Sequence, residues 1–200
     1  NVTLSTTNGA LAITAEDFVL TGDSITSGTN TTTLTDSDGS SGIGLGDTAV
    51  DFHVSGAELQ KITATGLTLA TGGNITLDNV SAANTGNITG TTLLDAGGSV
   101  SVANNLSVFT NALTIQADND VALTVNLSTS TAGNLSIDGD ADNATAGNVT
   151  IGAGLTLASA GELVLDATTG KVTGAGALIL NGADGVTIND DLTTAGILTV

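Results

Sequence analysis

Three aspartates at alternate positions have the spacing that opens many calcium-binding loops. Asp138, Asp140 and Asp142 form a D-x-D-x-D run, and hard oxygen ligands at alternate positions can converge on one Ca²⁺ ion. The run departs from the EF-hand loop further on, where Asn143 stands at the glycine position and Val149 at the final glutamate position. The sequence therefore allows a calcium site here, and it favours the alternative of a solvated acidic turn.

A weaker calcium candidate lies earlier in the chain. Asp36, Asp38 and Asp47 enclose a glycine-rich stretch, DSDGSSGIGLGD. The glycines of that stretch alternate with other residues, whereas the calcium-binding nonapeptide repeat needs adjacent glycines. This segment is typical of a loop more than of a metal site.

Glycosidase chemistry needs only two carboxyl groups at a suitable separation. Asp118, Asp120, Asp166 and Asp190 would share one face if the repeats described below align. The chain has no Arg to assist such a reaction, and the aspartates lie mainly in predicted turns. The only histidine, His53, lies between two apolar residues and is expected to point outward without a catalytic partner. We therefore predict that the protein is not an enzyme and needs no cofactor.

Charge and composition exclude several classes of partner. Twenty acidic residues face two lysines, which gives a net charge of −18, so nucleic acids and anionic lipids should be repelled. The absence of Cys rules out disulfides and thiolate metal sites. No run near twenty apolar residues is present, so no transmembrane segment is expected.

Apolar residues alternate with Thr or Ser over many short segments, as in Leu67–Leu69, Leu113–Ile115 and Leu135–Ile137. A period of two predicts β-strands with one buried face, and branched side chains favour the same conformation. One exception, AELQKI at 57–62, is predicted to form a single helical turn.

The alternating segments recur in repeat units of 21 to 28 residues, most clearly at 148–170 and 171–191. Most units hold three short strands, each too short to be stable alone, which predicts a single domain over 1–200 with an all-β, parallel β-helix (β-solenoid) fold. About eight turns spaced by about 4.8 Å would make a rod on the order of 40 Å long. A Greek-key sandwich is the alternative fold. The predicted units are 1–22, 23–48, 49–72, 73–97, 98–119, 120–147, 148–170 and 171–191.

Three polar segments are expected to bulge from the repeats, namely 36–47, 78–86 and 138–147. All are rich in Gly, Asn, Ser and Asp, which favour turns. Loops on a rigid scaffold are common places for binding.

The run FHVSGAELQKITATGLTLATGGNITL at 52–77 resembles a repeat of large secreted bacterial exoproteins of the filamentous haemagglutinin type. Those repeats pair a short AEL-x-x-I segment with L-T-L and G-x-I-T-L strands. The matching residues here are Ala57, Glu58, Leu59, Ile62, Leu67, Leu69, Gly73, Ile75 and Leu77.

The resemblance implies a right-handed parallel β-helix, export through an outer-membrane partner, and display as an adhesin or surface fibre. We therefore expect a non-enzymatic extracellular module at the cell surface. Because both chain ends read as strands, we expect it to continue in a larger chain or to associate end to end, and a host or cell-surface glycan or protein is a further expected partner. The alternatives are a carbohydrate-active β-helix enzyme and a calcium-stabilised surface module.

Overall fold

The computed structural model describes residues 2–17, 19–144 and 147–200. Within these residues the chain forms 24 short strands and one helix of four residues. The period-two pattern therefore predicted the secondary structure correctly, and the fold is all-β. No helix in the described part of the chain is long and apolar enough to cross a membrane.

The strands form four sheets, and every strand pair in the described residues is parallel. Sheet 1 has eight strands in chain order: β2 (Leu11–Ala15), β4 (Thr31–Asp36), β8 (Gly66–Thr71), β10 (Thr92–Ala96), β13 (Leu113–Ala117), β16 (Leu135–Asp138), β19 (Glu162–Asp166) and β22 (Gly185–Ile188). Sheet 2 has eight strands and runs, from one edge to the other: β23 (Leu192–Thr194), β20 (Val172–Gly174), β17 (Val149–Ile151), β14 (Val121–Leu123), β11 (Val100–Val102), β9 (Ile75–Asp78), β5 (Ile43–Gly46) and β6 (Phe52–Val54).

Two smaller sheets complete the fold. Sheet 3 contains five strands: β12 (Ser107–Phe109), β15 (Leu127–Thr129), β18 (Leu155–Ser159), β21 (Leu178–Gly182) and β24 (Leu198–Thr199). Sheet 4 contains three: β1 (Thr3–Ser5), β3 (Ser24–Thr26) and β7 (Ile62–Thr63). An antiparallel Greek-key sandwich does not fit these pairings, because all of them are parallel.

The strands pair in register, so each side chain lies beside the equivalent side chain of the next strand. Branched or aliphatic side chains consequently form continuous columns in the core. One column runs the full width of sheet 1 and is buried in its central six members: Ile13, Leu34, Leu69, Leu94, Ile115, Ile137, Leu165 and Ile188.

The repeat unit predicted at 49–72 is wrong as an independent unit. Later strands of sheet 2 are added on the β9 side of β5. The first strand of this unit, β6, instead pairs with the other side of β5 and forms the edge of sheet 2. Consequently Asp36 of β4 lies beside Thr71 of β8, a separation of 35 residues, which exceeds the predicted 21 to 28.

The predicted bulge at 36–47 is also partly wrong, because it contains the buried strand β5. Residues 47–51 cross back over the outside of β5 so that β6 can run parallel to it. The carbonyl of Thr48 lies only 1.9 Å from where a Cβ of Gly44 would be. Gly46 has a φ of +94° and would place a Cβ 1.8 Å from the carbonyl of Asp78. The alternating glycines therefore permit this crossing.

The helix α1 (Gly56–Leu59) confirms the predicted helical turn. Ser55 and Glu58 form a capping box, with Oγ of Ser55 accepting the Glu58 N–H at 3.3 Å and Oε2 of Glu58 accepting the Ser55 N–H at 3.0 Å. Oε1 of Glu58 also accepts the backbone N–H of Leu20 at 3.1 Å, and Nζ of Lys61 donates to the Leu20 carbonyl. These contacts and the burial of Leu59 hold the helix against Leu20.

Asparagine side chains extend the backbone pairing past the strand ends. Their Oδ1 atoms accept N–H groups from the following pass of the chain, at distances of 2.8 to 3.1 Å, so these turns also stay in register. The pairs are Asn74 with Ser99, Asn126 with Thr156, Asn134 with Glu162 and Asn148 with Lys171.

Replacing Gly44 with Ala should destabilise the protein by about 1–3 kcal/mol, because the new methyl group overlaps the Thr48 carbonyl. Gly86 is the matched control, since a Cβ there meets only ordinary contacts at 3.8 Å. Denaturant unfolding should show the loss for Gly44→Ala alone. Equal stability of the two variants would contradict the crossing of 47–51 over β5.

Candidate acidic site

Acidic side chains gather where the strands of sheet 1 end. Asp95, Gln116, Asp138 and Asp166 are register partners in one outward column, and adjacent strands are about 4.8 Å apart. The column therefore holds three aspartates and one glutamine on neighbouring strands. Turn residues that follow the same strands add further carboxylates. We call the whole set the acidic corner: Asp95, Asp118, Asp138, Asp140, Asp142, Asp166 and Asp190.

Two of these aspartates end their own strands. Oδ1 of Asp138 accepts the N–H of Asp140 at 3.0 Å, and Oδ1 of Asp166 accepts the N–H of Thr168 at 3.1 Å. Such contacts two residues ahead are Asx turns, which compete with strand pairing. The local sequence thus places a carboxylate at the end of both β16 and β19.

Asp140 is completely buried. Its Oδ2 atom accepts the backbone N–H of Thr169 at 2.9 Å and the Thr169 hydroxyl. Its Oδ1 atom is buried and accepts no hydrogen bond. A buried carboxylate oxygen without a partner is costly, so Asp140 is the least satisfied group described in the site.

Burial and like charge raise the pKa of two carboxyl groups in the corner. For Asp118, desolvation acts together with repulsion from Asp142, Asp95 and Asp140. For Asp138, desolvation is again the largest cause; together with repulsion from Asp166, Asp140 and Asp190 it exceeds the lowering effect of the hydrogen bond from the Asp140 N–H. The charged neighbours in both cases are other carboxylates.

Amide and hydroxyl donors have the opposite effect on Asp166. Desolvation would raise its pKa, but donors that include the side chain of Asn189, at 2.9 Å from Oδ2, and the N–H of Thr168 lower the pKa below its ordinary value. The pKa values of the register partners Asp138 and Asp166 are therefore shifted in opposite directions, upward for Asp138 and downward for Asp166.

Buried Asp78, at the end of β9, is also held as an anion. Desolvation opposes ionisation, but its carboxylate accepts hydrogen bonds from the Asn104 side chain at 3.0 Å and from the side chain and backbone of Asn105, with Thr48 more distant, and its pKa is lowered. The segment predicted to bulge at 78–86 is thus fixed at its start by a satisfied carboxylate.

The structure does not bring Asp138, Asp140 and Asp142 together as three ligands of one ion. Among residues 2–17, 19–144 and 147–200, no group of three or more acidic, His or Cys side chains has the arrangement of a metal site. Asp142 is exposed and accepts the N–H of Ala144 at 3.0 Å. The alternating spacing therefore does not produce an EF-hand-like cage.

In the second calcium candidate, strand β5 separates Asp47 from Asp36 and Asp38. Asp36 accepts the Asp38 N–H at 3.2 Å, whereas Asp47 lies beyond β5 and accepts the side chain of Asn79 at 2.6 Å. Asp38 is fully exposed, and hydrogen bonds from Ser41, and from the backbone of Ser40, lower its pKa to about 2. Asp38 therefore accepts within its own turn, whereas Asp36 and Asp47 also accept hydrogen bonds from Thr71 and Asn79 of a later pass.

The four aspartates considered for catalysis are only partly grouped. Asp166 and Asp190 are neighbours, with Oδ2 of Asp190 accepting the Ala167 N–H at 2.7 Å, and Asp118 belongs to the same corner. Asp120 instead accepts the backbone and side-chain N–H groups of Asn148.

His53 is half-buried, and its Nε2 atom lies 2.8 Å from the Gly46 carbonyl. Its backbone N–H donates to Asp17 at 3.1 Å. Both contacts hold the edge strand β6 in place.

The column of Asp95, Asp138 and Asp166 was not predicted from the sequence. A signal for it exists, because an aliphatic residue followed by Asp, Gln or Asn and then a small residue or Asp recurs at 94–96, 115–117, 137–139, 165–167 and 188–190. The burial of Asp140 leaves no such trace in the sequence.

A groove of about 470 Å³ lies apart from this column, between the segment that follows β9 and the segment that precedes β12. Its lining combines apolar residues, among them the half-exposed Leu106, with the polar residues Asn79, Ser81 and Asn105.

Comparisons of the sequence and the fold with models of protein families, with curated proteins and with solved structures found no match. The resemblance to haemagglutinin-type exoproteins therefore stays a prediction.

The pKa shifts predict a maximum of thermal stability in mild acid. A raised folded-state pKa, as for Asp118 and Asp138, contributes stability that is present below about 3.8 and is lost as the pH rises through the folded value. The lowered pKa values of Asp78 and Asp166 contribute stability above about 3.8 that is lost as the pH falls through the folded values. We expect Tm to rise from pH 7 to just above pH 4 and then to fall.

The double variant Asp118→Asn/Asp138→Asn should flatten the rise between pH 7 and pH 4. Because the chain has a net charge of −18, the removal of any two negative charges reduces the overall repulsion between its acidic side chains. Asp51→Asn/Asp184→Asn, which changes two exposed acids, is therefore the control. The same flattening in both double variants, measured by calorimetry, would assign the effect to net charge instead of to the acidic corner.

Proposed function

We propose that the chain is a non-enzymatic β-solenoid module of an extracellular bacterial surface protein or fibre, of the filamentous haemagglutinin type. The observation that carries the proposal is the order of strands. In sheets 1 and 3, and in sheet 2 apart from β6, each strand pairs with the strand that follows one pass later. From β10 to β24 the chain passes through sheets 1, 2 and 3 in turn. A rod of stacked turns accounts for that order, since the remainder of each turn serves as the crossover between parallel strands.

The residues that carry the family resemblance have structural roles compatible with it. The AEL segment forms the capped helix α1, with Leu59 buried. The L-T-L and I-T-L segments form β8 and β9, with both leucines of the first and Ile75 and Leu77 of the second buried. Strands β8 and β9 belong to sheets 1 and 2, whose parallel strands could continue in further passes of a long surface fibre.

The composition supports a structural role outside the cell. A core of in-register columns provides stability without disulfides, and the strong negative charge keeps a rod soluble and away from other polyanions. The chain offers only two lysines and no arginine to trypsin-like proteases. These features fit a scaffold that presents loops to a host or cell-surface glycan or protein.

The outermost strands offer edges for further stacking. Leu4 of β1 and Leu198 of β24 are partly exposed, and free strand edges pair readily with other strands. In the proposed function these edges join further turns, either of a longer chain or of a second copy.

Lysine at the free edge should weaken association between copies of the 200-residue chain. Leu4→Lys places a charge on β1, where Leu4 is 48% exposed, and Leu106→Lys changes a side-chain position 51% exposed in the groove. We expect the wild type and Leu106→Lys to lengthen with concentration, and Leu4→Lys to associate at least tenfold more weakly, in sedimentation velocity and electron microscopy. Monodisperse short rods of the wild type at every concentration would remove end-to-end association and leave the longer chain.

One observation favours a second function, that of a carbohydrate-active enzyme. Asp138 and Asp166 are register partners with pKa values shifted up and down, as a general acid and its anionic partner require. A spacing of about 5 Å between carboxyl groups is that of retaining glycosidases. Against this role, both oxygens of Asp166 already accept hydrogen bonds.

We expect no release of reducing ends when the protein is incubated with neutral and acidic polysaccharides. Release that is lost in Asp138→Asn and kept in Asp184→Asn would establish the enzyme and contradict the scaffold proposal. Asp184 is the control because it is an exposed acid in the turn between β21 and β22.

A further inference from the structure

The unpartnered oxygen of Asp140 distinguishes the acidic corner from an ordinary solvated turn. Asp140 has no exposed surface, and Thr169 holds Oδ2 through two donated hydrogen bonds. Those bonds fix the carboxylate as an acceptor and leave Oδ1 buried without a donor. Such an atom is costly to bury, and a bound ion or water molecule is one way of satisfying it.

The surroundings supply negative charge. Asp118 is influenced by Asp142, Asp95 and Asp140, and Asp138 by Asp166 and Asp140. Neither lysine of the sequence belongs to the corner's hydrogen bonds: Lys61 is fastened to Leu20, and the backbone of Lys171 donates to Asn148. A cation would therefore satisfy Oδ1 and reduce repulsion at the same time.

We propose that the acidic corner binds one hard divalent cation of the Ca²⁺ class, with Oδ1 of Asp140 as the anchoring ligand. The chain has no Cys and a single His, which disfavours softer metals. Ca²⁺ accepts irregular arrangements of carboxylate, carbonyl and water oxygens, whereas Mg²⁺ demands a near-ideal octahedron.

The composition of the site sets its affinity. Because no three acidic side chains among residues 2–17, 19–144 and 147–200 have the arrangement of a metal site, the ion takes Asp140, at most one further carboxylate from Asp118 or Asp138, and backbone carbonyls and water. Few charged ligands give a weak site, on the order of 10⁻⁴–10⁻³ M, as in extracellular modules. This inference is independent of the scaffold proposal and holds whether or not the chain forms fibres.

The test is a calcium titration of the whole chain at pH 7 in 0.15 M KCl. Calorimetry measures binding, and thermal unfolding measures the change in Tm. We expect one saturable site and, at hundredfold excess over Kd, a Tm increase of about 5 °C or more. MgCl₂ at equal ionic strength should give a much smaller increase. No saturable binding to the wild type would overturn the proposal.

Two variants locate the site. Asp140→Asn keeps an acceptor for Thr169 and removes the charged ligand, so Kd should rise at least tenfold, while the control Asp184→Asn should bind like the wild type. If Asp140→Asn does not fold, as judged by circular dichroism, Asp118→Asn/Asp138→Asn replaces it, with the same expected loss. Equal binding by all variants, or equal effects of Mg²⁺ and Ca²⁺, would mean an adventitious ion only and would overturn the proposal.

Discussion

Parallel pairing in register is the constraint on which the rest of this structure depends. Each residue lies beside its equivalent in the next strand, at a separation of about 4.8 Å. A side chain at such a position must therefore pack well against another side chain of the same kind. Leu, Ile and Val satisfy this requirement, and the column that contains Leu69, Leu94 and Ile115 shows the result. Thin layers need few large rings, and in the part of the chain that the structure describes Phe52 and Phe109 are the aromatic residues among the largest fully buried side chains.

The same constraint favours some polar columns and penalises others. An asparagine can donate and accept, so Asn148 both accepts the N–H of Lys171 and donates to Asp120. An aspartate beside an aspartate has only acceptors to offer. Asp78 and Asp166 are relieved by asparagine side chains that lie nearby.

Asp118 and Asp138 are repelled by neighbouring carboxylates, and Asp140 has one oxygen without a hydrogen-bond donor. The acidic corner is therefore a place where the regular fold carries unfavourable electrostatic interactions. Stress of this kind at one place in an otherwise consistent fold is a common mark of function. The scaffold and the corner are therefore two consequences of one pairing rule, applied to apolar and to acidic residues.

The sequence predicted the strands well wherever apolar residues alternate with Thr or Ser, as in β8, β13 and β16. It also predicted the helical turn, because Ser55, Glu58 and Leu59 carry a capping box and a buried residue within a few positions. It failed to predict the path of residues 36–54, where the chain reverses its direction of stacking over Gly44. Alternating glycines are equally typical of a flexible loop and of a close backbone crossing, so the pattern alone does not distinguish them.

The candidate site was predicted less well than the fold. The D-x-D-x-D spacing allowed a calcium site at 138–142, but the three side chains do not converge, and the distinctive feature of the segment is the burial of Asp140. Burial at a corner depends on the residues of the neighbouring passes, such as Thr169, which lie 29 positions away in the sequence. Local spacing carries no information about them.

Distances between spin labels along one outward column test the central claim, that successive passes stack in register. The chain has no Cys, so pairs of introduced cysteines are specific. Thr187→Cys combined in turn with Thr68→Cys, Thr33→Cys and Ala12→Cys spans five, six and seven strand spacings. Electron paramagnetic resonance should give narrow distributions near about 24, 29 and 34 Å, increasing by about 4.8 Å per strand. Broad distributions, or distances that do not increase in that order, would contradict the account.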